Sequence, residues 1–77
     1  MRTRLRNIGT AEVERVLRKA GFTVDRQKGS HKQYLKEVEG KAFRVTVAVN
    51  RKSYNTSTIK SMISQSGMTE SEWEELL

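Results

Sequence analysis

The sequence predicts an α+β fold of two layers. A three-stranded antiparallel sheet is flanked by helices in the order α-β-β-β-α, with a short helix added at the C-terminal end. Three observations carry this. Residues 10–20 have apolar residues at helical spacing. Residues 22–49 alternate in three short runs separated by glycine turns. Residues 57–77 return to helical spacing, interrupted by Gly67. Three clustered strands beside flanking helices exclude a doubly wound parallel sheet at this length.

Residues 1–9 read as a basic arm, in which Arg2, Arg4 and Arg6 alternate with small or apolar residues until Gly9. Its low apolar content predicts a frayed terminus, and a segment touching nucleic acid is the other reading. Thr10 is the expected N-cap of the first helix, and Glu12 falls in its first turn, where the helix dipole favours an anion. Val13, Val16, Leu17 and Ala20 form one apolar stripe. Arg18 and Lys19 suit the last turn, and Gly21 ends the helix.

Phe22 and Val24 alternate with Thr23 and Asp25, so a strand is expected through about Gln27. Lys28-Gly29-Ser30 is a tight turn, and a second strand runs from about His31 to Val38. On that strand either face could be core, because Tyr34 and Leu35 lie on opposite sides. Glu39-Gly40 is the next turn. Residues 42–49 form the clearest strand, with Phe43, Val45, Val47 and Val49 sharing a face. Residues 50–57 are polar. A helix then runs from about Ser57 or Thr58 to Ser66, with Ile59, Met62 and Ile63 as its stripe. Thr69 to Glu72 spells a capping box, and Met68 with Trp73 suits a hydrophobic staple.

The chain has 77 residues, 35% hydrophobic and 31% charged. That is one small domain, expected to span residues 1–77. Without cysteine no disulfide can staple it, and one histidine excludes a His/Cys zinc site. No apolar run approaches a membrane span, and no apolar stretch follows the basic N-terminus as a secretory signal requires. A cytoplasmic location is therefore expected. The 15 basic residues against 9 acidic ones give +6. All the basic residues lie within residues 1–60, whereas residues 61–77 carry four carboxylates and no cation. A basic body with an acidic end points to a polyanionic partner on one surface.

Arg26 to Lys32 is the densest chemical feature. Gly29 lets backbone approach an anion, and turn amides can form an anion-binding nest. Ser30 adds a hydroxyl, and Lys28 and Lys32 add charge. His31 supplies the side-chain type that serves most often as a general acid or base. Cleaving RNA requires the ribose 2′-hydroxyl to lose a proton as it attacks phosphorus and the leaving oxygen to gain one. A histidine can do either, while cations stabilise the phosphoryl oxygens. The competing reading of His31 is a surface residue or a simple phosphate contact. In the next loop, Arg51 and Lys52 could hold phosphates while a base stacks on Tyr54. An ordinary polar loop is the bland alternative there. Glu70, Glu72, Glu74 and Glu75 lack the spacing of a calcium loop and read as a solvated helix face. No metal and no cofactor are expected.

Lys19-Ala20-Gly21-Phe22, the run Lys28 to Tyr34, the valine-rich third strand and Thr58 to Met68 together resemble the HicA (YcfA-like) toxin family. The resemblance covers about residues 11–77. It implies a fold like the double-stranded RNA-binding domain and a toxin that cleaves mRNA. It also implies a HicB-type antitoxin that covers the active site. By motif match, His31 is the catalytic histidine, Gly29 and Ser30 form the turn before it, and Lys52 is the basic residue before the second long helix. Val49-Asn50 stands where relatives often have Pro or a second His, and Ser57 replaces a frequent Gly. The second proton-transfer role is open among Lys28, Lys32, Tyr34, solvent and no group at all. The expected activity is thus metal-independent endoribonuclease cleavage of single-stranded mRNA by one histidine. A non-catalytic RNA-binding module is the alternative, and a domain whose basic face meets an acidic protein is a third class.

Overall fold

Tyr34 decides which face of the sheet is buried. A computed structural model describes residues 2–77 and places Tyr34 fully inside, while Leu35 on the opposite face is half-buried. The sheet has the order β1-β2-β3, from β1 (Thr23–Lys28), β2 (His31–Val38) and β3 (Lys41–Ala48). Both pairings are antiparallel. Tyr34 lies opposite Val45 and Lys32 opposite Val47, so these side chains share the inner face. On the outer face, His31 pairs with Ala48 and Leu35 with Arg44. A bulge between Val24 and Arg26 leaves Asp25 without a ladder partner. Its carboxylate instead takes a 2.7 Å hydrogen bond from Arg44, which also donates to Gln33.

The helices cover the inner face. They are α1 (Thr10–Lys19), α2 (Thr56–Ser66) and α3 (Glu70–Leu76). Helix α2 lies on β3, and α3 packs against α1. Val13, Val16 and Leu17 of α1 and Ile59, Met62 and Ile63 of α2 enter one core with Tyr34, Val45, Val47 and Trp73. Trp73 is fully buried, and its indole N–H donates to Ser66 Oγ at 3.0 Å. That hydroxyl in turn donates to the Ile63 carbonyl, so the buried polar atoms are paired. Thr69 and Glu72 form the expected capping box.

Several boundaries differ from the sequence reading. Gly9, not Thr10, is the N-cap of α1, and its amide donates to Glu12 Oε1 at 2.7 Å. The Thr10 hydroxyl is engaged elsewhere. Phe22 is buried ahead of β1 rather than within it. Helix α2 begins at Thr56, because the Asn55 side chain accepts from the Thr58 amide and caps it one step early.

The N-terminal segment is the larger correction. Met1 lies outside the described residues. Thr3–Leu5 form a 3-10 turn against α3, with Leu5 fully buried and Ile8 buried beside it. Arg2 is tied to Glu70 and Glu74 of α3. The segment packs because Leu5 and Ile8 are its apolar anchors. The alternating arginines mask that signal in the sequence.

Candidate active site

The hairpin that presents His31 is set by one glycine. Gly29 takes φ +59 at the first position of a two-residue turn, a left-handed conformation that glycine enters without steric cost. Gln27 Nε2 donates to the Gly29 carbonyl at 3.2 Å. Lys28 and His31 close the ladder on one side, and His31 pairs with Ala48 on the other. The ladder runs one step further, where the Val49 amide donates to the Ser30 carbonyl at 2.8 Å. The His31 backbone is thus fixed between two strands while its side chain is exposed. Because Lys32 points inward, alternation turns His31 to the outer face.

Beyond β3 the chain bends sharply at Asn50, with φ +63. Arg51 and Lys52 follow, exposed and outside any ion pair among the described residues. Their backbone is seated on the start of α1. The Thr10 amide donates to the Arg51 carbonyl at 3.0 Å, and the Arg51 amide donates to Thr10 Oγ1 at 2.9 Å. The Tyr54 amide donates to the Ile8 carbonyl at 3.0 Å. Gly9 makes room for this. A Cβ there would collide with the Lys52 carbonyl and lie 2.6 Å from that of Arg51.

Tyr54 is not a stacking platform. The residue is 8% exposed, and its hydroxyl donates to the Ala48 carbonyl while lying 2.8 Å from Thr10 Oγ1. Burial pushes its phenol above the ordinary tyrosine value. A tyrosine in a polar loop offered stacking from sequence alone. The apolar surface under the loop claims the ring instead, and it now braces the loop from below.

Lys32 also differs from expectation. Its Nζ is 2.9 Å from Glu14 Oε2 on α1, so its charge is directed inward. Tyr34 donates to the same oxygen, and Arg18 lies 3.6 Å from it. Burial opposes ionisation of Glu14, but the hydrogen bonds from Tyr34 and Lys32 and the charges of Lys32 and Arg18 outweigh it. The carboxyl is held below its usual range. Burial and the neighbouring carboxylate push the Tyr34 phenol up to about 12. Glu14 was invisible as a site member because it flanks the apolar stripe of α1. Its place beside Val13 and Leu17, four residues before Arg18, was the available signal.

The structure therefore brings together Lys28, Gly29, Ser30 and His31 at one sheet end, with the Arg51–Lys52 loop beginning three residues after Ala48 opposite His31. It withdraws Lys32, Tyr34 and Tyr54. Among the described residues, no group of three or more Asp, Glu and His side chains could hold a metal ion, and no helix is long and apolar enough to cross a membrane. A family model described as "HicA toxin of bacterial toxin-antitoxin" matches residues 10–68. No curated protein matches the chain.

Proposed function

The chain belongs to the HicA toxin family of bacterial toxin–antitoxin systems, and from that premise we propose that it is an endoribonuclease that cleaves single-stranded mRNA in the cytoplasm. One observation carries the proposal: an exposed His31, its backbone locked from both sides, stands between Lys28 and the Arg51–Lys52 loop, whose cations make no ion pair among the described residues.

In the reaction, neutral His31 takes the proton from a ribose 2′-hydroxyl. The O2′–P bond forms and the P–O5′ bond breaks, and the leaving 5′-oxygen takes a proton. Lys28, paired across the hairpin from His31, and water are the groups available to supply that proton. Tyr34 is buried at a high pKa, and Lys32 is held by Glu14. Lys28, Arg51 and Lys52 bind phosphate and offset charge on its oxygens. A HicB-type antitoxin inhibits the enzyme by covering this sheet end.

The withdrawal of Lys32 and Tyr34 removes two candidate proton donors and favours the second reading, an RNA-binding module without turnover. Wild type and His31→Ala are compared for cleavage of a defined RNA in EDTA, with binding measured alongside. Cleavage by wild type is expected, with loss of at least ~10²-fold in the variant and retained binding. If both bind and neither cuts, the module reading replaces the enzyme. If wild type needs a metal ion to cut, the single-histidine mechanism is wrong.

A further inference from the structure

The N-terminal segment precedes the residues matched by the family model, yet it is built into the molecule on two sides. On one side, Arg2 meets Glu70 and Glu74, and Leu5 is buried beside α3. In a 3-10 turn, positions three apart eclipse one another. Arg2 and Leu5 therefore share the face turned to α3, and Arg4 lies off that face. Arg4 and Arg6 are exposed and make no ion pair among the described residues. The chain then turns at Asn7, with φ +61. On the other side, the Ile8 carbonyl receives the Tyr54 amide, and Gly9 fits under the Arg51 and Lys52 carbonyls. Arg6 is thus two residues from a backbone junction with the basic loop beside His31.

We propose that Arg4 and Arg6 form a second phosphate-binding element, continuous with the Arg51–Lys52 loop. It lengthens the track for single-stranded RNA beyond the nucleotides at His31. This rests on the endoribonuclease reading. The charges are placed on a folded anchor rather than on a loose tail, so ordering them on RNA costs little entropy. Of the carboxylates of α3, Glu74 pairs with the Arg2 guanidinium, Glu70 accepts from the Arg2 amide and Glu72 from the Thr69 amide, and none forms an ion pair with Arg4 or Arg6 among the described residues.

The experiment uses the full chain carrying His31→Ala, so that bound RNA is not cut, and fluorescently labelled single-stranded RNAs. Two lengths are compared, about 4 and about 12 nucleotides, one at the short limit and one well inside the range of site sizes of small single-strand binders. Arg4→Gln/Arg6→Gln is measured against Lys19→Gln/Lys41→Gln. The control pair removes the same charge at the end of α1 and at the β3 start, away from the His31 end of the sheet. Fluorescence of buried Trp73 verifies that each variant is folded.

Loss of two phosphate contacts should reduce the slope of log affinity against log salt by about 1.4 for the longer RNA. Over one decade of salt below 1 M that difference accumulates to about 25-fold in affinity. The shorter RNA should bind both variants alike. Equal losses in the arginine and lysine pairs would overturn the proposal, since only net charge would then matter. So would unchanged binding of the longer RNA by the arginine variant while the parent binds it well. If the parent binds neither RNA at low salt, the RNA reading itself fails along with the inference.

Discussion

Glu14 shows how one side chain can hold a strand to a helix. Its carboxylate collects Tyr34, Lys32 and Arg18, and the arrangement is stable only while Glu14 is ionised and Tyr34 is not. Because the folded-state pKa of Glu14 is lowered, its contribution is present above the ordinary carboxyl value of 4.5 and lost as pH falls through the folded value. Tyr34 has the opposite sign. Its pKa is raised from 10.0 to about 12, so its contribution is present below pH 10.0 and lost as pH rises towards 12. Urea unfolding followed by Trp73 fluorescence should therefore weaken at both ends of the pH range. Tyr34→Phe should cost about 1–3 kcal/mol at neutral pH by leaving Glu14 short of a donor, and should flatten the alkaline fall. RNA cleavage per folded molecule should be unchanged in this variant. A tenfold loss with the fold intact would return Tyr34 to the list of proton donors.

At the scale of elements, the decisive contact lies between the start of α1 and the loop after β3. Thr10, Gly9 and Ile8 each meet that loop through backbone or hydroxyl groups, and Tyr54 braces it from the core. A methyl group at Gly9 has nowhere to go except into two carbonyl oxygens. Gly9→Ala is expected to destabilise the fold by about 1–3 kcal/mol, as overpacking does. It should also speed amide exchange at Arg51 and Tyr54 relative to the β2 amides. Wild-type exchange at those two positions would mean that the loop is held without this contact.

For the molecule as a whole, the balance of paired and unpaired charge matters more than the total. Glu70 and Glu74 of α3 meet Arg2, while Lys28, Arg51, Lys52, Arg4 and Arg6 stay outside ion pairs among the described residues. Unpaired cations draw polyanions to the surface that carries them and speed encounter at low salt. An antitoxin that blocks this surface should present acidic groups to it and shield His31. His31 is the single histidine of the chain, so its modification by diethyl pyrocarbonate can be read without ambiguity by mass spectrometry. The expected result is fast modification of the free chain and slow modification in a purified toxin–antitoxin complex. Equal rates would show that inhibition leaves the histidine open.

The sequence by itself determined the element order, the glycine turns, the capping box at Thr69 and the placement of His31 directly after Gly29-Ser30. Those features are local: they follow from periodicity and from backbone conformations that few residues can adopt. Tertiary structure alone decided which side chains remain outside. Tyr34 and Leu35 were equivalent along β2 until α1 covered one face. Lys32 was a free cation until Glu14 arrived from α1, and Tyr54 was a surface aromatic until the core beneath the loop buried it. The N-terminal arginines read as an arm until Leu5 and Ile8 found partners far along the chain. Burial depends on what the rest of the chain brings to a surface, and spacing along one segment carries no record of that.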